Sequence, residues 1–297
     1  MSGWISLTFD DALHEHLDHV VPALNRVALK GTFYTHLSSP AFVGRQQNWR
    51  QAAAEGHELG NHTVFHPAAA SKRWVRPGNA IERYSLDRMR LELEFANATL
   101  SALDGRIERT FAYPCSNSFV GRTGWVRRAV EAAGWGQTRL AGWVDHWNLD
   151  WGSTRQSYEP IIGELFAAGR GGGLSFGQQV PPTSTWRRSR MPSVAVENWS
   201  LHDLQQHVNR AITSNTWAIL QFHGVGGGHQ MDCPLSIFME FVTWLKSEYA
   251  ERVITVLEGS RRLWPLANVS LSSQREGRPT LNLMAFDKCG TAEGAPQ

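Results

Sequence analysis

The sequence contains little of what marks several classes of protein. It has only three cysteines in 297 residues, Cys115, Cys233 and Cys289, and their spacing fits neither a zinc knuckle nor a redox pair. This excludes a disulfide-stabilised scaffold. No apolar run approaches the roughly 20 residues that a membrane-spanning helix needs, so we predict that the protein does not insert into a membrane.

Charge of one sign is not in excess either. The chain has 29 Lys and Arg against 27 Asp and Glu, a formal net charge of +2, and the basic residues are scattered along it. Nucleic acids and anionic membrane surfaces attract concentrated basic patches, so we predict neither as a partner. No basic region and apolar run precede the strand-like Trp4–Phe9 segment, as expected of a cytoplasmic protein or of an exported one whose signal was removed. Nothing in the sequence predicts the oligomeric state.

Short β-rich runs alternate with amphipathic stretches along most of the chain. This alternation predicts an α/β fold of repeated βα units around a parallel sheet or barrel. The predicted strands are Ile5–Phe9, Gly31–His36, Glu58–Asn61, Thr110–Tyr113, Gly136–Leu140, Gly173–Phe176, Thr216–Phe222 and Val253–Thr255. Apolar residues spaced for a helical face predict helices over 17–27, Ser85–Leu103, Trp125–Ala133, Pro160–Ala168, Leu201–Ser214 and Leu235–Ser247.

Two regions interrupt this alternation. The segment Gly169–Ser193 is rich in Gly, Pro, Ser and Arg, which predicts a long loop or a substrate-binding insertion. The pattern ends near residue 265, so we predict a catalytic domain over 1–264 and a C-terminal extension over 265–297. In that extension 268–272 and 280–285 are predicted to pair as a hairpin before a disordered end.

Paired carboxylates follow the first predicted strand. Asp10 and Asp11 stand where that strand gives way to a helical pattern. In a barrel of parallel strands, residues at the carboxyl ends of the strands face one common opening, where the chemistry of such folds is found. The alternative is structural, because Asp is also a favoured residue at a helix N-terminus.

Two histidines follow the third predicted strand. His62 and His66 stand four residues apart, a spacing that places both imidazoles on one face of a helical turn, where they can share a metal. A carboxylate from Asp11 would complete a set of two histidines and one carboxylate with open coordination positions. Two histidines at this spacing also arise by chance, so the structural alternative stays open.

A further histidine ends the last long apolar strand. His223 follows Leu220-Gln221-Phe222, where a general acid would reach the opening of the barrel. An isolated histidine is often a structural residue, and that alternative remains. Three more, His14, His16 and His19, lie on the first predicted helix, where a solvated face is expected; His16 is the one we consider able to line the site.

Together these motifs resemble the polysaccharide deacetylase (NodB homology, carbohydrate esterase family 4-like) family. Thr-Phe-Asp-Asp, Gly-His-Glu-x-Gly-Asn-His-x-x-x-His, a strand end with proline and Leu-x-x-His occur here in the family's order, over roughly residues 5–263. The resemblance implies a distorted (β/α)7 barrel. It also implies removal of acetyl groups from an acetylated polysaccharide or oligosaccharide, such as chitin, chitooligosaccharides, peptidoglycan or acetylxylan.

The resemblance also assigns roles to matched residues. It implies that Asp10 is the general base, that His223 is the general acid and that the backbone N–H of Cys115 stabilises the oxyanion. Asp11, His62 and His66 would hold zinc or another divalent ion such as cobalt, nickel or manganese. Tyr113 and Trp151 would line the substrate pocket, and Asp150 would orient His223.

The sequence departs from the family pattern at three positions. Ala12 replaces the usual glycine after the paired aspartates, and Trp147 stands where an aspartate is usual before Asp150-Trp151. More consequentially, Ala112 occupies the position of the arginine that orients the base. Another group must orient Asp10, and Arg155 and Arg139 are the residues that the sequence suggests.

Several functions fit these motifs. A glycan deacetylase acting on N-acetyl groups, or on O-acetyl groups as in an acetylxylan esterase, is the first hypothesis. A metal-dependent amidohydrolase of cyclic imides or ureides on the same scaffold is the second, and a carbohydrate-binding domain without activity is the third. A binding domain has no need of a base, three metal ligands and an acid, which favours an enzyme.

Overall fold

Seven short strands form one parallel sheet in the computed structural model, which describes residues 3–121, 125–135, 138–140, 143 and 156–265. The strand order is β5-β4-β3-β2-β1-β7-β6, and each neighbouring pair is parallel. The strands are Trp4–Asp10 (β1), Thr32–Thr35 (β2), Glu58–Asn61 (β3), Thr110–Ala112 (β4), Ala168–Arg170 (β5), Val194–Ala195 (β6) and Trp217–Phe222 (β7). Parallel pairing throughout requires a crossover between successive strands, and helices supply most of these.

The two edge strands of this sheet meet and close it. Arg170 of β5 bridges Met191, and Leu174 bridges Val194 of β6, both in parallel orientation. Gly171 N donates to Met191 O at 2.8 Å, which extends this connection along the backbone. The sheet is therefore a barrel of seven strands, irregular where β5 and β6 are joined by single bridges. The predicted α/β fold with a distorted (β/α)7 barrel is confirmed.

Helices cover the outside of the barrel. The first begins as a π-helix, His16–Val20, and continues as α-helix, with Leu17, Val20, Val21 and Leu24 buried as the sequence periodicity predicts. The α-helices are Val21–Arg26 (α1), Pro40–Gly44 (α2), Gln46–Ala54 (α3), Leu86–Asp104 (α4), Trp125–Ala132 (α5), Glu159–Leu165 (α6), Leu201–Thr213 (α7), Leu235–Tyr249 (α8) and Val256–Leu263 (α9). None of the helices in the described part of the chain is long and apolar enough to cross a bilayer.

Shorter elements complete the described chain. Two-residue strands pair as Phe119–Val120 with Gln156–Ser157 and as Gly224–Val225 with Asp232–Cys233. Single 3-10 turns are Pro77–Asn79, Ile81–Arg83, Pro114–Ser116, Thr183–Thr185 and Ala250–Arg252. Residues up to Pro265 form one compact unit. The C-terminal extension predicted over 265–297 lies outside the described residues from 266 onward.

Three predicted strands are wrong. In 136–140, residues 136 and 137 lie outside the described residues, and Arg139 and Leu140 are helical. Within Gly173–Phe176 only Leu174 pairs, and within Val253–Thr255 only Val253 pairs, as a bridge to Ile5. Thr255 instead caps helix α9 through its side chain.

The strand that the prediction missed is β5, Ala168–Arg170, which lies at the end of the helix predicted over Pro160–Ala168 and inside the predicted loop Gly169–Ser193. Its three residues lack the β-branched and aromatic side chains that mark strands. The helix before it ends at Leu165.

Aromatic packing fixes the strand that carries the paired carboxylates. The Phe9 ring of β1 stacks on Phe33 of β2 at 4.9 Å and on Phe222 of β7 at 5.4 Å between centroids. All three side chains are fully buried. Because Phe9 directly precedes Asp10, this packing sets where β1 ends and which way the carboxylates leave it.

A buried ion pair holds helix α4 to the sheet. The Arg109 and Asp104 side chains are 1% and 0% exposed, with Nη2 of Arg109 2.6 Å from Oδ1 of Asp104. Arg109 Nη1 also donates to Leu59 O at 2.9 Å. Removing one partner of such a pair leaves the other charge buried without compensation.

We therefore predict that Arg109→Met lowers the free energy of unfolding by about 3–5 kcal/mol. Urea denaturation followed by circular dichroism measures this. The matched control is Arg90→Met, which removes a partly exposed arginine at the surface, paired with Glu164, and should leave the urea midpoint almost unchanged. Equal midpoints for both variants would contradict the prediction.

Candidate active site

The carboxyl ends of β1, β2, β3 and β7 open into one cavity of about 960 Å³. This volume is at the upper end of the range of roughly 300–1,000 Å³ typical of small-molecule sites. Asp10, Asp11, His62, His66 and His223 all line it. The structure thus brings together the five residues that the sequence motifs single out.

Asp11, His62 and His66 form a cluster with the composition of a metal site. Their ligand atoms all lie within 4.8 Å of one another. Asp11 Oδ1 is 3.5 Å from His62 Nε2 and 3.3 Å from His66 Nε2. His62 Nδ1 lies 2.8 Å from Ala112 O, so Nδ1 carries the proton and Nε2 presents its lone pair to the cluster.

Burial keeps His66 of this cluster neutral. It lowers the pKa of His66 to about 3, with a further contribution from His62, and lowers the pKa of the adjacent His36 to about 4. Burial alone would raise the pKa of Asp11, but the hydrogen bond to His62 and the nearby His66 and His223 hold it well below its usual value. With the proton of His62 on Nδ1, the cluster directs two imidazole nitrogens and one carboxylate toward one point.

A tight turn, not a helix, brings His62 and His66 together. Thr63 and His66 have φ values of 70° and 51°, so the helical turn that the spacing of four predicts is wrong, although the two rings do converge. Asn61 Oδ1 accepts a bond from Thr63 N at 2.7 Å, and Thr63 Oγ1 accepts one from His66 N at 2.9 Å. Positive φ at non-glycine residues costs free energy and is found most often at functional sites.

The second carboxylate, Asp10, is held on one oxygen. Its Oδ2 accepts hydrogen bonds from Arg170 Nη2 at 2.5 Å and Gln221 Nε2 at 2.9 Å. Its other oxygen, Oδ1, is buried without a hydrogen-bond partner in the part of the chain that the structure describes. One oxygen of this carboxylate is therefore held by hydrogen bonds, and the other is available to a ligand.

Arg170 is the functional residue that the sequence reasoning missed. Its side chain is 1% exposed, and its Nη1 also donates to Ser193 Oγ at 3.1 Å. The two residues predicted for this role do not fill it, because Arg139 is exposed and Arg155 lies outside the described residues. The signal in the sequence is one arginine within a run of glycines, a composition that favours a loop.

His223 lies next to Asp10 at the end of β7. Its Nε2 is 3.9 Å from Asp10 Oδ2, and its buried Nδ1 has no hydrogen-bond partner among the described residues. Burial lowers the pKa of His223, which Asp10 and Asp11 partly offset. The ring of His229 stacks on it at 4.8 Å between centroids.

A buried histidine of the first helix positions this strand end. His16 Nε2 donates to His223 O at 2.7 Å, and its Nδ1 accepts from Leu13 N at 3.2 Å. His16 is fully buried, so it supports the site from behind rather than lining it. Asp150 and Trp151, predicted to orient His223 and to line the pocket, lie outside the described residues.

The turn after β4 presents a backbone donor to the cavity. Cys115 has φ 49° and ψ 29°, and its N–H has no acceptor among the described residues, while the next two N–H groups donate to Tyr113 O and Pro114 O. Desolvation by the surrounding cavity walls raises the pKa of the Cys115 thiol to about 11, although the residue itself is exposed. A protonated thiol at neutral pH is a poor nucleophile.

Tyr113 does not line the cavity. Its ring is 2% exposed within a core cluster that includes Phe111 and Tyr158, and its hydroxyl donates to Ser189 O at 2.8 Å. The predicted substrate-binding role of Tyr113 is therefore wrong. Side chains alternate across a strand, and this one points to the outer layer.

Comparison with known proteins agrees with the motifs. Residues 2–134 match the family model described as polysaccharide deacetylase, so the resemblance predicted from the motifs is confirmed. A gellan lyase from Bacillus sp. is 30% identical over 115 residues, which is 38% of this chain and 4% of that protein. The chain thus spans only a small part of the curated relative that it matches.

Solved structures similar to this chain include three that are named as carbohydrate esterases or deacetylases. The Xyl-CE4 domain of a multidomain xylanase from the hindgut metagenome of Trinervitermes trinervoides has a TM-score of 0.48 at 14% identity, covering 88% of this chain and 91% of that one. The catalytic domain of a peptidoglycan N-acetylglucosamine deacetylase from Eubacterium rectale has 0.46 at 14%, covering 86% and 88%. A family 4 acetyl xylan esterase from Clostridium thermocellum, in complex with a cobalt ion, has 0.46 at 16%, covering 87% and 90%.

The cluster geometry predicts that His66→Ala weakens zinc binding by at least about 100-fold, since loss of a ligand should cost no less than the 10–100-fold typical of supporting residues. Calorimetric titration of the metal-free protein with zinc measures this. The control is His229→Ala, which removes a cavity histidine outside the cluster and should leave the zinc affinity within about threefold, a change below 1 kcal/mol. Unchanged affinity in His66→Ala would show that the cluster is not the metal site.

Proposed function

Starting from the polysaccharide deacetylase match over residues 2–134, we propose that the chain is a metal-dependent hydrolase that removes acetyl groups from a polysaccharide or oligosaccharide. The observation that carries the proposal is the position of Asp10 beside the Asp11-His62-His66 cluster, with one carboxylate oxygen tied and the other free. The catalytic domain would comprise 1–264, with 265–297 as an extension.

The residues present fit a divalent ion. Asp11 Oδ1 is buried and has no hydrogen-bond partner among the described residues, and the proton of His62 is directed away from the cluster by Ala112 O. Two nitrogens and one oxygen suit zinc, and cobalt, nickel or manganese would also be accepted. When bound there, such an ion would lower the pKa of a water molecule and polarise the acetyl carbonyl.

Asp10 would act as the general base. Arg170 and Gln221 hold Oδ2, so Oδ1 keeps a fixed direction into the cavity and can accept the proton of the attacking water. A base that needs no reorientation contributes more to the rate than a mobile one, because its ordering is completed during folding.

His223 and Cys115 would act on the other side of the reacting carbon. The backbone N–H of Cys115 is available to hydrogen-bond the oxygen that becomes negative in the tetrahedral intermediate. His223 Nε2 lies 3.9 Å from Asp10 Oδ2 and would deliver a proton to the departing amine or alcohol. Asp150 as the partner of His223, and Trp151 as a wall of the substrate site, belong to the same proposal.

The cavity favours a glycan over a small cyclic imide. A volume of about 960 Å³ is open on one side and far exceeds what a single heterocycle fills. The test measures acetate release from chitooligosaccharides and acetylxylan, and turnover of a cyclic imide. Each is measured after chelation and again after zinc is restored. Zinc-dependent acetate release supports the proposal, whereas turnover of the imide alone would replace it with the amidohydrolase.

Asp10→Asn should lower kcat by about 10²–10⁴-fold, the usual contribution of general-base catalysis, because an amide cannot take the proton. Zinc affinity should change by less than about threefold, since Asp10 is outside the ligand set. The matched control is Asp18→Asn, a half-exposed carboxylate paired with Arg45, which should keep the wild-type rate. A rate near wild type in Asp10→Asn would refute the assignment of the base.

Arg170→Met should lower kcat by about 10²-fold with little change in KM, because a base displaced by about 1 Å loses that much. Gln221→Met removes one neutral hydrogen bond to the same oxygen and should have a smaller effect in the same direction. Arg187→Met, an exposed arginine paired with Glu159, is the control. If KM rises while kcat holds in the Arg170 and Gln221 variants, they bind substrate instead of positioning the base.

A further inference from the structure

One wall of the cavity carries cations that the reaction chemistry does not use. Lys72 and Arg76 both line the cavity, with Trp74 between them in the chain. All three side chains are exposed, and neither cation forms an ion pair within the described part of the chain. Lys72 and Cys115 line the same cavity, and Lys72 lies near enough to act electrostatically on the Cys115 thiol.

The loop over 68–80 carries this wall and is held in place at its base and at its centre. Ala68 bridges Ala80 at the base of the loop, and Val75 at its centre is 6% exposed in a small apolar cluster with Ala68, Ala70 and Ala80. Lys72 N donates to Ala69 O and Val75 N donates to Lys72 O, both at 3.0 Å. With Val75 anchored inward, the residues on either side of it are directed to the cavity.

The wall directly adjoins the proposed metal cluster. The Trp74 ring lies 5.4 Å from the His66 ring between centroids, and more than half of its surface is exposed. Its open face offers an apolar platform for the C–H face of a sugar ring. A sugar on this platform would be the acetylated residue itself or its immediate neighbour.

The charge of the cavity points to an anionic sugar. Among the described residues, the acidic ones in its lining are Asp10 and Asp11. Asp10 is neutralised by Arg170, and Asp11 belongs to the proposed metal cluster. Lys72 and Arg76 therefore add positive charge that no acidic residue in the described part of the chain pairs with. A carboxylate is the complement of a guanidinium and an ammonium at such a position, and a cleft lined by one sign of charge concentrates ligands of the other.

We propose that Lys72, Trp74 and Arg76 form a subsite for a sugar that carries a carboxylate, so that the substrate is an acetylated acidic glycan containing uronate residues. The inference rests on the proposed function for the acetyl group, but binding of the acidic sugar does not need the metal. A neutral glycan would gain the aromatic contact alone.

The binding test uses the full chain after chelation and dialysis, with tetragalacturonate as the probe and chitotetraose as the neutral counterpart. Calorimetry should show that tetragalacturonate binds at least about tenfold more tightly at low ionic strength, a difference of about 1.4 kcal/mol. This preference should shrink as salt is raised from 20 to 300 mM, since salt screens exposed charges. Equal affinities at low salt would overturn the proposal.

The matched variants separate the subsite from net charge. Lys72→Gln with Arg76→Gln should abolish the preference and leave chitotetraose binding unchanged. Arg73→Gln changes an exposed arginine of the same loop that does not line the cavity and should keep most of the preference. If Arg73→Gln loses as much affinity per charge removed as the double variant does, the effect is nonspecific and the subsite is refuted.

Activity then distinguishes this inference from the proposed function. With zinc restored, the double variant should raise KM for acetylated oligogalacturonate at least about tenfold, leave kcat within about twofold and leave both values unchanged for chitooligosaccharides. Acetate release from both substrates with no selective effect of the variants overturns the subsite alone. Tight binding of tetragalacturonate that depends on Lys72 and Arg76, without acetate release from any glycan, supports the subsite and overturns the deacetylase.

Discussion

The buried ion pair between Asp10 and Arg170 is the interaction on which the geometry of the site depends. Asp10 ends β1 and Arg170 ends β5, and three strands lie between them in the sheet, so the pair reaches across the interior of the closed barrel. Burying two charges costs several kcal/mol each, and only close geometry and further hydrogen bonds offset this cost. Ser193 and Gln221 supply those bonds.

This arrangement links the closure of the barrel to the direction of one carboxylate. The backbone around Arg170 pairs with Met191, and Ser193 lies on the same joining segment. The side chain of Arg170 also lies 5.0 Å from the ring of Tyr34, itself buried within β2. A change that loosens the junction of β5 and β6 therefore acts on Asp10, although the junction contains no group proposed to react.

The two aspartates at the end of β1 lie in different environments. Asp10 continues the strand and turns toward Arg170, whereas Asp11 has φ 76° and faces the two imidazoles. Ala12 follows with φ 50° and is fully buried, which explains why glycine is usual at this position in the family that the motifs resemble. The backbone reversal at 11 and 12 is what separates the proposed base from the proposed metal ligand.

The sequence predicted which residues converge in the cavity better than it predicted the sheet. Asp10, Asp11 and His223 follow predicted strands with an apolar pattern, and His62 and His66 were marked by their spacing after a third predicted strand. Parallel strands bring such ends together. Arg170 was not found because β5 has three residues, two of them alanine and glycine. It pairs with β4, which begins at Thr110, and through a single bridge with Met191, so both partners are distant in the chain. Tertiary closure of the barrel, which no local pattern records, makes that segment a strand.

Errors at single residues have similar causes. Tyr113 follows a strand as Asp10 does, yet it turns to the outer layer, because the direction of a side chain at a strand end depends on the turn that follows. His16 was considered for the cavity on its position in the first helix, and the π-helical turn places it behind His223. In both cases the residue type favours a place in the cavity, but the local backbone directs the side chain elsewhere.

X-ray absorption spectroscopy of the zinc-reconstituted protein tests the central claim most directly, since it reports the atoms around the ion without reference to a substrate. The account predicts nitrogen and oxygen neighbours at about 2.0–2.2 Å, together with outer-shell scattering from two imidazole rings. In the His62→Ala protein and in the His66→Ala protein, the scattering of one ring should be lost. A spectrum with a sulfur neighbour near about 2.3 Å, or one without imidazole scattering, would contradict it.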